Sequence, residues 1–343
     1  MSERAVLMLI DVHSLLNRAF YGIAGRRRLT APDGLPTGAL YAFLNMVLKY
    51  KTDLDPTLIV SAMDLPGDTF RHESYDEYKA GRSPMPEDLS LQIPVAREML
   101  AALGFCPVSL ERYEADDLIG TLALHGEEEG MRVYIITGDR DTLQLVSDKT
   151  SVILLTTQMT GSISEEINPD RMMEDYGVRP DQWVDVKALM GDASDNIPGV
   201  KGVGVKTALR LIQDYESLDG VYQHLDRQKG ALLKNLEAGK ESAYMSQDLS
   251  RICHDAPLPG IDELVHADCA SSMDEEKLSH LLTRLDFRSF LDRLELNSVN
   301  PTKNSEILLQ TNIQDLCELD TVDELIQMSE ELNTIAFMLP DRG

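Results

Sequence analysis

"RVYIITGDRD", residues 132–141, decides the fold. A short run of apolar and β-branched residues ends in glycine and aspartate. A run of that length suits a strand buried on both faces, and such strands belong to parallel sheets. The same pattern occurs twice more: "AVLMLI" (5–10) leads into Asp11 and "TLIVSAM" (57–63) into Asp64. Helical periodicity fills the intervals at roughly 37–51, 87–103 and 115–129. Strands alternating with helices predict a doubly wound, mostly parallel α/β sheet, with ligands gathering outside the carboxyl ends of the strands. From about 168 the pattern turns helical with short loops. The expected organisation is an α/β domain over 1–167, an all-α unit over 168–296, and a polar linker at 297–305 ("NSVNPTKNS").

The 343 residues carry 58 acidic side chains against 32 lysines and arginines, a formal charge of −26. Diffuse negative charge would oppose a nucleic-acid partner, because phosphate contacts depend on cations. Here much of it is clustered. Past residue 300, nine acids face only Lys303 and Arg342, and many others sit in tight groups. No apolar run reaches the length of a membrane span. Cys106, Cys253, Cys269 and Cys317 are scattered without a C-x-x-C pair, which argues against a disulfide framework and for a reducing cytoplasm.

Asp11, Asp64 and Asp139 occupy equivalent places at three strand ends, and Asp141 follows closely. "YEADDLIGTLA" (113–123) adds Glu114, Asp116 and Asp117 at a helix start, and Asp192 and Asp195 open the later helical unit. Any one of these could simply cap a helix. Nine acids aimed at one sheet edge raise each other's pKa unless cations lie among them. Oxygen-only donors favour Mg²⁺ or Mn²⁺ over zinc, and paired divalent ions suit attack on a phosphodiester.

Between two of these groups lies "TFRHESYDEYKAGRSPMP" (69–86). Helical spacing would place Arg71, Tyr75, Tyr78 and Arg82 on one stripe with Lys79 beside it. Aromatic rings among cations suit single-stranded nucleic acid, while a solvated helix is the plainer alternative. The triplet at 26–28 is a further basic candidate. "PGVKGVGVKT" (198–207) approaches a triphosphate-binding loop but fails its register, since Val205 stands between Gly204 and Lys206. No apolar strand leads into it. It reads instead as a hairpin between two helices. Gly199, Val200, Gly202, Gly204, Lys206 and Thr207 would then present backbone amides and a helix N-terminus to a DNA phosphate.

Six stretches in order carry a resemblance: "LIDVHSLLNRAFYG", "PTGALYAFLNMV", "MDLPGDTFRHESYDEYKAGRSPMPEDL", "YEADDLIGTLA", "TGDRDTLQLV" and "ALMGDASDNIPGVKGVGVKTA". Through most of 4–295 the chain resembles the flap endonuclease (5′–3′ exonuclease) superfamily, in the form found at the N-terminus of bacterial DNA polymerase I. The resemblance implies a PIN-like nuclease fold with a helical arch and a C-terminal helix-hairpin-helix unit. It implies that the nine acids hold two or more Mg²⁺ or Mn²⁺ ions, and that the hairpin takes a monovalent cation such as K⁺. Tyr78, Lys79 and Arg82 match the arch, and Arg18 matches a basic residue near the scissile phosphate. The implied partners are DNA with a 5′ flap or nick and RNA primer–DNA hybrids, acted on by a monomer in the bacterial cytoplasm. Two departures remove no ligand: Val12-His13 replaces a glycine and a small polar residue, and Met63 a phenylalanine. Residues 306–343 resemble the opening of a 3′–5′ exonuclease-like domain lacking proofreading acids, so a longer polymerase chain is expected. The alternative is a non-catalytic DNA-binding module, which predicts a lost metal ligand.

Overall fold

The structure is a computed structural model, and it describes residues 5–23, 29–158, 161–265 and 273–296. The linker, the tail and the basic triplet at 26–28 lie outside the described residues. Six strands form one sheet: β1 (Val6–Asp11), β2 (Leu58–Ala62), β3 (Pro107–Val108), β4 (Arg132–Thr137), β5 (Thr150–Gln158) and β6 (Gly161–Ile167). Their order is β3-β2-β1-β4-β5-β6, parallel except for β6, which runs antiparallel to β5. The three expected strands, β2, β1 and β4, are adjacent in the sheet. β1 and β2 are buried almost throughout, the state their unbroken apolar runs require.

The helices between and beside these strands are α1 (Val12–Ile23), α2 (Gly38–Leu54), α3 (Phe70–Ser74), α4 (Glu87–Ser90), α5 (Gln92–Ala102) and α6 (Ala115–Glu128), of which α1, α2, α5 and α6 pack on the sheet. In α2, Leu40, Phe43, Leu44, Val47 and Leu48 recur at helical spacing and are buried. The helix expected over 87–103 is divided at Leu91 into α4 and α5. Pro94 lacks the amide that would bond to Ser90, so an uninterrupted helix is excluded there.

Beyond the sheet come α7 (Pro169–Tyr176), α8 (Trp183–Met190), α9 (Val205–Tyr215), α10 (Leu218–Gln223), α11 (Gly230–Ala238), α12 (Lys240–Ser250), α13 (Ile261–Val265) and α14 (Glu275–Arg284). One apolar core passes from Leu7, Val60 and Ile135 of the sheet through Leu118 and Leu122 of α6 to Trp183, Leu189 and Leu211. These helices and the sheet belong to one unit, residues 1–287; a second, from 288, contains α15 (Arg288–Arg293).

The helical stripe expected over 69–86 is corrected. Helix α3 ends at Ser74, and turns follow through Gly81. Lys79 (φ 57°) and Gly81 (φ 83°) adopt left-handed backbone, which breaks helical propagation, and Pro84 and Pro86 prevent its resumption.

Between α8 and α9 the chain makes the expected hairpin. Gly191 and Gly199 bring their backbones together, both with positive φ (70° and 58°). A Cβ at Gly199 would stand 2.3 Å from the Gly191 nitrogen. No side chain fits that approach. Gly199→Ala should therefore cost about 2–4 kcal/mol through strain and overlap. A thermal melt should show it as a lowered Tm; an unchanged Tm would contradict this packing.

Candidate active site

The strand order reverses on either side of β1, so a crevice opens at the carboxyl ends of β1 and its neighbours. Asp11 closes β1, and Asp64 and Asp139 stand two residues beyond β2 and β4. The N-terminus of α6 arrives at the same edge with Glu114 and Asp116. A cavity of about 260 Å³ results, lined by Asp11, Asp64, Glu114, Asp116, Asp139, Asp141 and Asp195, with Arg71, Lys79 and Arg82 as its cations. Seven of the nine predicted acids thus meet in one place.

Local bonds aim these acids. Asp11 accepts from the Thr137 hydroxyl (2.6 Å) and from the Ser14 amide (3.1 Å). The Ala115 amide donates to Asp64 at 2.8 Å, and the Asp141 amide to Asp139 at 2.9 Å. Arg18 donates to the Gly138 carbonyl (3.1 Å), beside Asp139.

Enclosure and mutual repulsion leave their mark on the acids. Burial, followed by the charges of Asp64 and Asp139, pushes the Asp11 carboxyl up to about 7, against the bonds from Thr137 and Ser14. Asp141 is pushed up to about 7 by burial and Asp139, against the pull of Lys187. Asp116 is raised well above the carboxylate range by burial and by Asp11, Asp139, Asp141 and Asp64. His13, which accepts the Asp64 amide on Nδ1 (3.2 Å), is lowered by burial, against the charge of Asp64.

Four cations answer the negative charge: Arg71 and Lys187 are buried, Lys79 half-buried and Arg82 exposed. Arg71 is 3% exposed and grips Asp117 through two bonds of 2.7 and 2.8 Å, while also donating to the Leu249 and Arg251 carbonyls. Burial opposes its charge, and the Asp117 pairing outweighs that and raises its pKa. Lys79 reaches Glu114 at 2.6 Å, and Arg82 pairs with Asp195. Lys187 joins Asp141 (2.6 Å) to Asp192.

These pairs correct four sequence expectations. Asp117 is fully buried against Arg71 and does not line the cavity, so it braces α6 instead of facing an ion. Asp192 is likewise outside the lining; it meets Asp141 through Lys187 and accepts the Ser194 amide within its own turn. Arg71 is enclosed in its ion pair and offers no surface to a strand. Tyr78 is 4% exposed and donates toward Glu114 and Asp195 (3.1 and 3.2 Å), so its ring cannot stack on a base here. Tyr75 is half-buried, its hydroxyl on Glu77.

In the hairpin, the Gly199 amide donates to the Ser246 hydroxyl and the Val200 amide to the Leu189 carbonyl. Those two amides are engaged inside the fold and unavailable to a phosphate, another correction. The outward edge is Lys201, Gly202, Gly204, Val205 and Lys206, with Thr207 half-buried behind them. Of the first-turn amides of α9, that of Thr207 donates to the Gly204 carbonyl (2.9 Å); those of Val205 and Lys206 precede the first i to i−4 bond of the helix.

Lys187 is the residue that motif reasoning missed. A lone lysine in the apolar run "WVDVKALM", close before Asp192, is the signal that could have found it.

The donor chemistry of the cavity fits a hard divalent cation: carboxylate oxygens, crowded enough to raise three of their pKa values. Among the described residues, no three His, Cys, Asp or Glu side chains are closed tightly enough to hold an ion as they stand.

The sequence profile of the 5′–3′ exonuclease N-terminal resolvase-like domain matches residues 6–177. That of the 5′–3′ exonuclease C-terminal SAM fold matches 178–272. The chain is similar to DNA polymerase I of Caldicellulosiruptor bescii, 40% identical over 85% of this chain and 34% of that protein. It is 38% identical to Bacillus subtilis DNA polymerase I over 96% of this chain and 36% of the relative. It thus spans about a third of the length of these relatives. Among solved structures, T5 5′-exonuclease with bound zinc ions shares the fold, with a TM-score of 0.59 and 22% identity over 82% of this chain and 98% of that one. The chain belongs to the 5′–3′ exonuclease family of nucleases.

The raised acids set a pH dependence. Asp11 and Asp141 hold protons in the folded state that the unfolded chain releases near pH 4. Their stabilising protonation is complete below that value and is lost as pH rises through about 7. Asp116→Asn relieves the repulsion, so without metal it should stabilise the protein at pH 8 by roughly 1–2 kcal/mol. The gain over wild type should vanish by about pH 4, where the unfolded-state carboxyls also protonate. Melting curves at the two pH values check this, and equal gains at both would refute it. Arg71→Met leaves buried Asp117 without its cation, held only by the Glu114 and Cys253 amides, and should cost about 3–5 kcal/mol in the same melts.

Proposed function

We propose that this chain is a divalent-metal-dependent 5′ nuclease that hydrolyses phosphodiesters at 5′ flaps, nicks and RNA or DNA 5′ ends. Its setting would be replication and repair in the bacterial cytoplasm, as a monomer and as the nuclease portion of a DNA polymerase I. One observation carries the reading: seven carboxylates converge at the sheet's switch point, on the same chain as an exposed glycine hairpin that opens a helix. The similarity to DNA polymerase I relatives supports it, as does the fold shared with an exonuclease solved with zinc.

Asp11, Asp64, Asp116, Asp139 and Asp141 would hold one ion or share a pair, with Glu114 and Asp195 completing the second position. Mg²⁺ or Mn²⁺ bound there supplies Lewis acidity toward a phosphate and a lowered pKa for a coordinated water. The chain's own groups do the remainder. Thr137 and Ser14 fix Asp11, and the Ala115 amide fixes Asp64, so the acids keep their aim without reorganising. Lys79 and Arg82 face the cavity on the carboxylate partners Glu114 and Asp195, placed where they would offset charge on a phosphate. Arg18 lies beside the Asp139 loop, within the same neighbourhood.

The outward edge of the hairpin would grip the duplex backbone with Lys201, Lys206, Gly202, Gly204 and the first-turn amides of α9, and could take K⁺ as well. Such contacts hold phosphates without reading sequence.

Incubation of a labelled 5′-flap duplex with Mg²⁺ tests the reading. Wild type should cut the flap, and chelation should abolish cutting. Asp139→Ala should be slower by about 10³-fold or more, because the aligned charge of the site is lost. A flap left intact by wild type sinks the enzyme reading. Lys206→Ala should lower the slope of log affinity against log salt by about one on every duplex sequence.

A further inference from the structure

Lys187 stands in the middle of α8, and its side chain is only 5% exposed. Its ammonium donates to Asp141 at 2.6 Å and also to Asp192. Asp141 lines the cavity; Asp192 lies in the turn after α8. That turn is pinned: the Gly191 amide donates to the Lys187 carbonyl (2.8 Å), and Asp192 and Ile197 exchange two backbone bonds of 2.8 Å. The two carboxylates are therefore joined by one charge on a rigid frame.

We propose that Lys187 is a resident counter-cation that a divalent ion must displace to bind the Asp141 corner of the cavity. The inference rests on the metal-dependent reading above. Burying an ammonium costs several kcal/mol unless carboxylates surround it, so Lys187 stays in place only while those oxygens remain its own. The Asp141 oxygens face the cavity and would serve a divalent cation, and an oxygen bound to the ion is withdrawn from Lys187. The exchange is feasible because the lysine stem is flexible enough for the ammonium to withdraw while its helix stays fixed. One positive charge between two carboxylates leaves a net negative charge, so a doubly charged ion is the better occupant once present. Lys187 thereby holds the metal-free protein together and lowers this position's affinity for an ion. It is a positioning residue; the proposal does not require it to touch the substrate.

Competition of this kind has a sign. Removing Lys187 should tighten ion binding, whereas removing a ligand or an orienting group should weaken it. Mn²⁺ binding is measured by calorimetry at pH 8 without DNA, on wild type, Lys187→Met and Lys187→Arg. The methionine variant keeps the apolar stem and should bind Mn²⁺ about tenfold more tightly at its weaker position, the range of ordinary couplings between sites. It should also melt lower than wild type without metal and regain that loss when Mn²⁺ is added. The arginine variant keeps the charge and should bind Mn²⁺ like wild type. Unchanged or weaker binding by a folded Lys187→Met protein overturns the proposal.

If the methionine variant does not fold, wild type supplies the answer by NMR of the lysine ammonium groups, with the Lys187 signal identified by its absence from Lys187→Arg. Saturating Mg²⁺ should shift or broaden it into exchange with water; a signal unmoved at saturation overturns the proposal. Failure of wild type to bind Mn²⁺ at all would instead remove the metal-dependent reading on which the inference stands.

Discussion

Like charges crowded at the carboxyl edge of the sheet are the constraint around which the rest is arranged. Seven carboxylates share a cavity of about 260 Å³, and backbone geometry leaves them little freedom to move apart. Asp11 is held to β1 by its own strand, and Asp64 is tied to the first amide of α6. The protein answers with cations from separate places. Arg71 comes from α3, Lys79 and Arg82 from the turns after it, and Lys187 from α8. Each ion pair neutralises an acid and also fastens a distant element to the site.

One consequence concerns the segment after α3. The Lys79 amide donates to the Asp195 carbonyl, Asn196 reaches the Glu77 carbonyl and Arg82 reaches the Ser194 carbonyl. Tyr78 packs with Ile197 and Leu249. Residues 75–82 are thus laid against the 192–197 turn by the same cations that neutralise Glu114 and Asp195. Weakening those ion pairs removes part of what holds the segment down. If a divalent charge entered the cavity and drew on Glu114 or Asp195, its binding and a loosening of 75–82 would be energetically linked, and linkage of this kind acts equally in both directions.

Much of this was legible in the sequence because it follows local rules. Apolar runs ending in aspartate gave three adjacent strands, and their parallel pairing brought Asp11, Asp64 and Asp139 to one edge. Strands β3, β5 and β6 were not anticipated; β3 has two residues, and β6 ("GSISEEI") is polar enough to resemble a loop. The reading of 69–86 failed for a physical reason. Spacing alone placed Arg71 and Tyr78 on a solvent-facing stripe, but Asp117 and Glu114 are strong enough partners to draw both inward. Buried ion pairs join residues far apart in the chain, such as Arg71 with Asp117 and Lys187 with Asp141, and periodicity carries no sign of them. The hairpin divided the same way. Its positive-φ glycines were readable, but the capture of the Gly199 and Val200 amides by Ser246 and Leu189 was not.

The formal charge of −26 looks ill suited to a DNA-directed protein until its distribution is considered. Nine acids belong to the tail past residue 300, and seven converge on the cavity, where ions would offset them. Neither group needs to face a duplex. Grip on a phosphate backbone can be local: two exposed lysines, a glycine edge and the first amides of one helix supply partial charges and donors at short range. Beyond about 8–10 Å, ordinary salt screens the rest of the molecule. A strongly acidic chain can therefore hold DNA where backbone amides meet phosphates, while its net repulsion weakens attachment elsewhere. On these grounds, acidity would confine binding to the hairpin and cavity.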